Sequence, residues 1–259
     1  MTIHEFGDRS NFIIMLFPGT MCYWKGNFEK VIDELAEKFF VAVVAYTGFD
    51  DKDTESYTSV NDELGKIEKY INDNYNGKIC AAYGCSLGGT FVAQLTARHN
   101  IHMQYGIIGS SDMDQAGKVK ASIMTALMVK VTYNFIHTGK YRSKLMQKRF
   151  EQKMNDPDPY NRAFVATTGR DKYDMSFITK ESLKNQFKSD LVTPLPEQIG
   201  NGETEIHVFY AKKMGEKYLE RYKKYFKSPV IHEQDMRHEE FLGLHSKDWC
   251  SLVEKICLN

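Results

Sequence analysis

Short, almost wholly apolar runs alternate along this chain with segments whose apolar residues recur at helical spacing. Residues 11–17 form one such run, closed by Pro18 and Gly19, which predicts a buried strand and its exit turn. Phe28, Val31, Ile32, Leu35 and Phe39 then share one helical face, so a helix is expected over 26–38. Residues 40–46 are apolar and rich in β-branched side chains, a second central strand. After an acidic loop at 50–55, Val60, Leu64, Ile67, Tyr70 and Ile71 mark a helix ending near Asn76 and Gly77. Residues 78–83 read as a strand, 90–99 as a helix, and 102–108 as a strand closed by Gly109, Ser110, Ser111 and Asp112. The alternation stops there. From 117 to about 199 the pattern is helical, without a convincing strand. It resumes with a strand at 205–210, a helix at 215–226, a strand at 229–234 and a final helix at 239–256. Residues 1–6 suit an antiparallel edge strand followed by a turn at 7–10.

Strands alternating with helices imply right-handed βαβ crossovers and a mostly parallel sheet flanked by helices, an α/β fold. The break in rhythm divides the chain into a core of residues 1–111 and 200–259 and an inserted helical cap at 112–199. Within the cap, residues 119–136 are apolar almost all round. Such a helix is usually buried or lines a pocket, and its Met124 and Met128 would adapt to an irregular apolar ligand. Ordinary packing onto the core explains the same pattern. Residues 118–153 also carry nine Lys or Arg against one acid, Glu151, enough to attract an anionic substrate or partner, although a solvated face accounts for it too.

Composition narrows the function. The 259 residues can bury a large core, and 42% hydrophobic with 26% charged residues is ordinary for a globular domain. Zero formal net charge gives no overall bias toward nucleic acid or membrane, and no apolar run is long enough to span a bilayer. The N-terminus lacks a basic-then-apolar signal pattern. Cys22, Cys80, Cys85, Cys250 and Cys257 have neither disulfide-framework nor zinc spacing, and read as reduced thiols of a cytoplasmic protein. No His-Glu-x-x-His or paired Cys-x-x-Cys is present, and the glycine-rich run at 84–89 lacks the Lys-Ser/Thr of a phosphate loop, so neither a metal nor a nucleotide cofactor is expected.

That run, Gly84-Cys85-Ser86-Leu87-Gly88-Gly89, carries the chemistry. It is G-x-S-x-G at a strand-to-helix turn. A sharp elbow there forces its central serine into strained backbone angles, lifting the hydroxyl above the sheet while the next helix points its first amides at developing negative charge. A serine needs a base for its proton and an acid to orient the base. His238, in the loop after the last strand, is the candidate base; His232 lies within that strand and His245 inside the final helix. The oxyanion would rest on the Leu87 amide and on Thr20, where Gly19 lets the backbone come close.

Together, Phe17-Pro18-Gly19-Thr20, the elbow and the His238 loop resemble the α/β-hydrolase superfamily over essentially the whole chain, with the insertion standing where the family has its variable cap. The resemblance implies a Ser-His-acid hydrolase without metal or organic cofactor. The chain departs from the pattern at the acid. Met214 occupies the position expected after the strand at 205–210, leaving Glu216, two residues on, as the preferred acid and Asp112 as the alternative; Asp114 and Asp235 are weaker. The expected activity is hydrolysis of a small-molecule ester, or of a thioester or amide, through an acyl-enzyme. Acyl transfer or carbon–carbon cleavage would use the same site. If the acid is missing, the alternative is a ligand-binding or regulatory protein that keeps the fold.

Overall fold

The computed structural model describes residues 1–200 and 202–258. Seven strands form one sheet: β1 (Thr2–Phe6), β2 (Ile13–Phe17), β3 (Phe40–Ala45), β4 (Lys78–Gly84), β5 (His102–Ile108), β6 (Glu205–Ala211) and β7 (Val230–Gln234). Their order is β1-β3-β2-β4-β5-β6-β7. Only β1 runs antiparallel, pairing Thr2 with Ala45 and Phe6 with Val41. The other pairs are parallel.

The apolar runs become interior strands because helices cover both faces of a parallel sheet. Every residue of β3 is buried, as are Ile14 to Phe17 of β2. Helices α1 (Trp24–Ala36), α2 (Val60–Tyr75) and α3 (Leu87–Arg98) connect the first parallel strands. Helix α1 buries Phe28, Val31, Ile32 and Leu35 on the face the periodicity marks. Helix α2 is capped by Ser59, whose hydroxyl accepts from the Asp62 N–H, and ends in Asn76 at φ 53°.

Among the described residues the elements between β5 and β6 are all helices: α4 (Lys118–Thr138), α5 (Lys144–Met154), α6 (Tyr160–Thr168) and α7 (Lys180–Val192). Helix α4 differs from the all-round burial its composition suggests. It buries a narrow stripe of Ala121, Thr125, Val129, Thr132, Phe135 and Ile136, whereas Val119, Ile123 and Leu127 stay 76%, 67% and 60% exposed. Helix α8 (Glu216–Tyr225) follows β6. The single final helix expected at 239–256 is instead two, α9 (Glu240–Leu244) and α10 (Ser246–Leu258), broken where His245 leaves helical geometry at φ −122°.

Register places the site. Phe17 pairs with Gly84, Gly84 with Ile108, and Ala211 with Gln234. The loops after β2, β4, β5 and β7 therefore leave the same carboxyl edge of the sheet. Strand order reverses between β2 and β4, which opens a crevice there of the kind that receives ligands in α/β sheets.

Candidate active site

The elbow between β4 and α3 is as sharp as its glycines require. Ser86 stands at φ 49° and ψ −111°, outside the regions an L-residue favours. A Cβ on Gly84 would lie 2.1 Å from the Gly88 carbonyl carbon, and one on Gly88 would lie 2.1 Å from the Phe17 oxygen. Only glycine fits either place. Ser86 also occupies the N-cap of α3, yet its hydroxyl makes no cap bond. The Oγ is left free beside the cavity.

The loop after β2 is fastened to this elbow. The Cys85 N–H donates to the Phe17 carbonyl at 3.0 Å. Buried Asn27 accepts from the Gly19 N–H at 2.9 Å and donates to Cys85 Sγ at 3.4 Å. Gln186 of α7 accepts from the Met21 N–H at 2.7 Å. The amides of Thr20 and Leu87 donate to no described protein group, so both remain open to an incoming oxyanion.

A cavity of about 270 Å³ opens over Ser86. Thr20, Asp112, Asp114, Asp190, His238 and Glu239 border it, and Met124, Met128, Phe164, Phe187 and Leu191 supply an apolar wall. The structure thus brings Ser86, Thr20, His238 and Asp112 to one place. Glu216 is elsewhere: it lies exposed in the first turn of α8, does not border the cavity, and makes no ion pair or hydrogen bond with His238. Asp235 is likewise exposed, 4.0 Å from Lys213 Nζ.

The His238 loop is held from outside. Arg237 donates to Glu240 Oε2 at 2.8 Å and to Asp158 Oδ1 at 3.1 Å, and its guanidinium lies 3.9 Å from the centre of the Tyr160 ring. The Tyr160 hydroxyl donates to the His238 carbonyl at 3.1 Å, and the imidazole packs edge-on to Phe164. Among the described residues the imidazole has no hydrogen bond to Ser86 or to a carboxylate. Such bonds are commonly long before substrate is bound. Asp112 borders the same cavity as His238.

Sequence reasoning missed Glu239. It stands at φ 56°, 5% exposed, and turns its carboxylate into the back of the elbow. Oε1 accepts from the Ser86 N–H at 3.2 Å and the Ser110 N–H at 3.0 Å, while Oε2 accepts from the Tyr83 hydroxyl at 3.4 Å. The available signal was an acid directly after the candidate histidine, which reads equally well as a first-turn helix charge.

These carboxylates set the electrostatics. Burial pushes the Asp112 carboxyl up, neighbouring Asp114 adds to the effect, and His238 and Arg221 oppose it. Burial and then the Asp112 charge push Asp190 up to about 7, against hydrogen bonds from Thr20 and Thr90. Burial, reinforced by Glu239, raises Cys22 to about 12 and Cys85 well above the usual thiol range, so neither thiol is an active nucleophile. Among the described residues no three His, Cys, Asp or Glu are grouped to hold a metal ion, and no helix is long and apolar enough to cross a membrane.

Comparison of whole chains settles the architecture. An α/β-hydrolase family protein from Desulfitobacterium hafniense superposes with a TM-score of 0.80 over 100% of both chains at 17% identity. The chain has the α/β-hydrolase fold. An enol-lactonase from Burkholderia xenovorans LB400 matches at TM-score 0.70 and 13% identity over 100% of this chain and 96% of its own. An esterase from Exiguobacterium antarcticum matches at TM-score 0.68 and 12% identity, over 99% of this chain and 95% of its own. No protein-family model matches the sequence, and no curated protein matches it significantly.

Proposed function

We propose that this α/β-hydrolase fold carries a serine hydrolase for a small-molecule ester, with a thioester or amide as the alternative substrate. The observation that carries the reading is the strained Ser86 at the strand–helix junction, with its Oγ unbonded and His238 on the same cavity. Ser86 Oγ attacks the acyl carbon as the imidazole takes its proton. The oxyanion rests on the Thr20 and Leu87 amides, and the departing alkoxide recovers the proton from His238. Water then repeats the sequence on the acyl-enzyme and releases the acid. Asp112 is the acid we assign to His238, because both border the cavity over Ser86 while Glu216 lies outside it. The Met124, Met128 and Phe187 wall suits an apolar acyl chain of modest size. The acidic border, with Asp112, Asp114, Asp190 and Glu239, favours a neutral or cationic ester over one bearing a carboxylate. The esterase and enol-lactonase neighbours agree with this class. Five cysteines, none in a disulfide, suit a reducing compartment.

A panel of p-nitrophenyl esters of increasing acyl length tests the proposal. Turnover should favour short to medium chains, and Ser86→Ala should lower kcat by roughly 10³-fold or more without changing the melting temperature. Equal turnover by the wild type and Ser86→Ala would overturn it. The unbonded His238 imidazole supports a second reading, a binding protein on the same fold. In that case an ester would bind to both forms and neither would turn it over.

A further inference from the structure

A second, larger cavity of about 730 Å³ lies between α4 and α7 and shares no lining residue with the cavity over Ser86. Its border holds five cations: Lys130, Arg142, Lys180, Lys184 and Lys188. No acid borders it, and none of the five forms an ion pair, side-chain hydrogen bond or ring contact with a described residue. Other exposed cations are paired, as Lys38 with Glu254 and Lys69 with Asp73, while several, Lys118, Lys120 and Lys148 among them, form no ion pair with a described residue either; what sets the five apart is that they converge on one cavity. Lys180, Lys184 and Lys188 stand four residues apart, so they form one row about 12 Å long on α7. Like charges so spaced on a helix repel one another. Lys130 and Arg142 face the same cavity from the other side.

Thr125 of α4 borders this cavity and is 2% exposed, yet its Oγ1 has no hydrogen-bond partner. That oxygen is enclosed by protein, so it is a local cost to the fold and offers the cavity no contact. The remaining wall, including Ala126, Val129 and Tyr133, offers apolar and aromatic surface.

We propose that this cavity binds a small soluble anion carrying two or more phosphate groups on an organic body. A single phosphate would engage only one end of the lysine row, whereas linked phosphates reach several cations at once and relieve their mutual repulsion. The apolar wall then takes the organic portion. The inference stands independently of catalysis at Ser86.

Calorimetric titration of the full chain with inorganic phosphate, pyrophosphate, a nucleoside diphosphate, and vesicles of equal parts phosphatidylserine and phosphatidylcholine tests it. The nucleoside diphosphate should bind best, at least about tenfold more tightly than inorganic phosphate, and weaken as salt is raised. Lys184→Gln with Lys188→Gln should weaken binding by about tenfold or more while ester turnover is unchanged. Unaltered binding in the double variant, no preference for linked phosphates, or binding to vesicles without binding to the soluble diphosphate would overturn the assignment.

Discussion

A serine held at φ 49° and ψ −111° needs surroundings that over-determine its backbone, and here they are particular. Gly84 and Gly88 permit the approach of neighbouring main chain, and Glu239 accepts the Ser86 and Ser110 amides behind the turn. The same carboxylate is thereby occupied on the backbone and serves poorly as the acid for His238. That role separates Asp112 from Glu216. Asp112→Asn should lower kcat by about 10²–10⁴-fold, with KM for the ester little changed. Glu216→Gln should remain within about twofold of the wild type, as expected for an exposed helix-terminal charge. Steady-state kinetics on both variants checks the assignment, and a collapse of kcat in Glu216→Gln alone would reverse it.

At the scale of elements, the α3 elbow and the β7–α9 loop are one unit, because Glu239 leaves the second and bonds to the first. Glu239→Ala would strand two amides and the Tyr83 hydroxyl in the interior, at a cost of roughly 2–4 kcal/mol. Chemical denaturation should show that loss, and Glu239→Gln should recover part of it by keeping an acceptor. Stability of Glu239→Ala equal to the wild type would mean that water replaces the carboxylate. The elements themselves were legible from sequence wherever periodicity speaks: the apolar runs at 40–46 and 102–108 and the stripe from Phe28 to Leu35 mark segments that fold as written. What periodicity does not carry is the direction a loop takes. Nothing local says that Glu239 adopts φ 56° and turns inward, or that His245 breaks the last helix. Helix α4 shows the same limit. Its composition suggests all-round burial, but only one stripe finds a partner, since α7 packs on that side and nothing covers Val119, Ile123 or Leu127 among the described residues.

Across the whole molecule, a zero net charge conceals a strong separation. Helices α4 and α7 divide a carboxylate-bordered cavity, with Asp112, Asp114, Asp190 and Glu239, from one bordered by five cations. Summed charge could not reveal this, because the four acids come together, and the lysine row meets Lys130 and Arg142, only through tertiary packing. The separation has a thermodynamic consequence. Asp190 binds its proton more tightly in the folded state, because burial pushes its carboxyl up to about 7, well above the ordinary aspartate range. Its contribution therefore makes stability fall as pH rises from about 4 to about 7, by roughly 2–4 kcal/mol at most. Asp190→Asn should flatten that slope in denaturation curves taken across the range and leave the chain more stable at pH 8; an unchanged slope would place the proton elsewhere. The central claim is that Ser86 is the nucleophile, and covalent labelling addresses it most directly. Incubated with a fluorophosphonate, the protein should gain one phosphonyl group that peptide mass mapping assigns to Ser86, and Ser86→Ala should gain none. An unlabelled wild type at saturating probe, or a label on another residue that persists in Ser86→Ala, would contradict it.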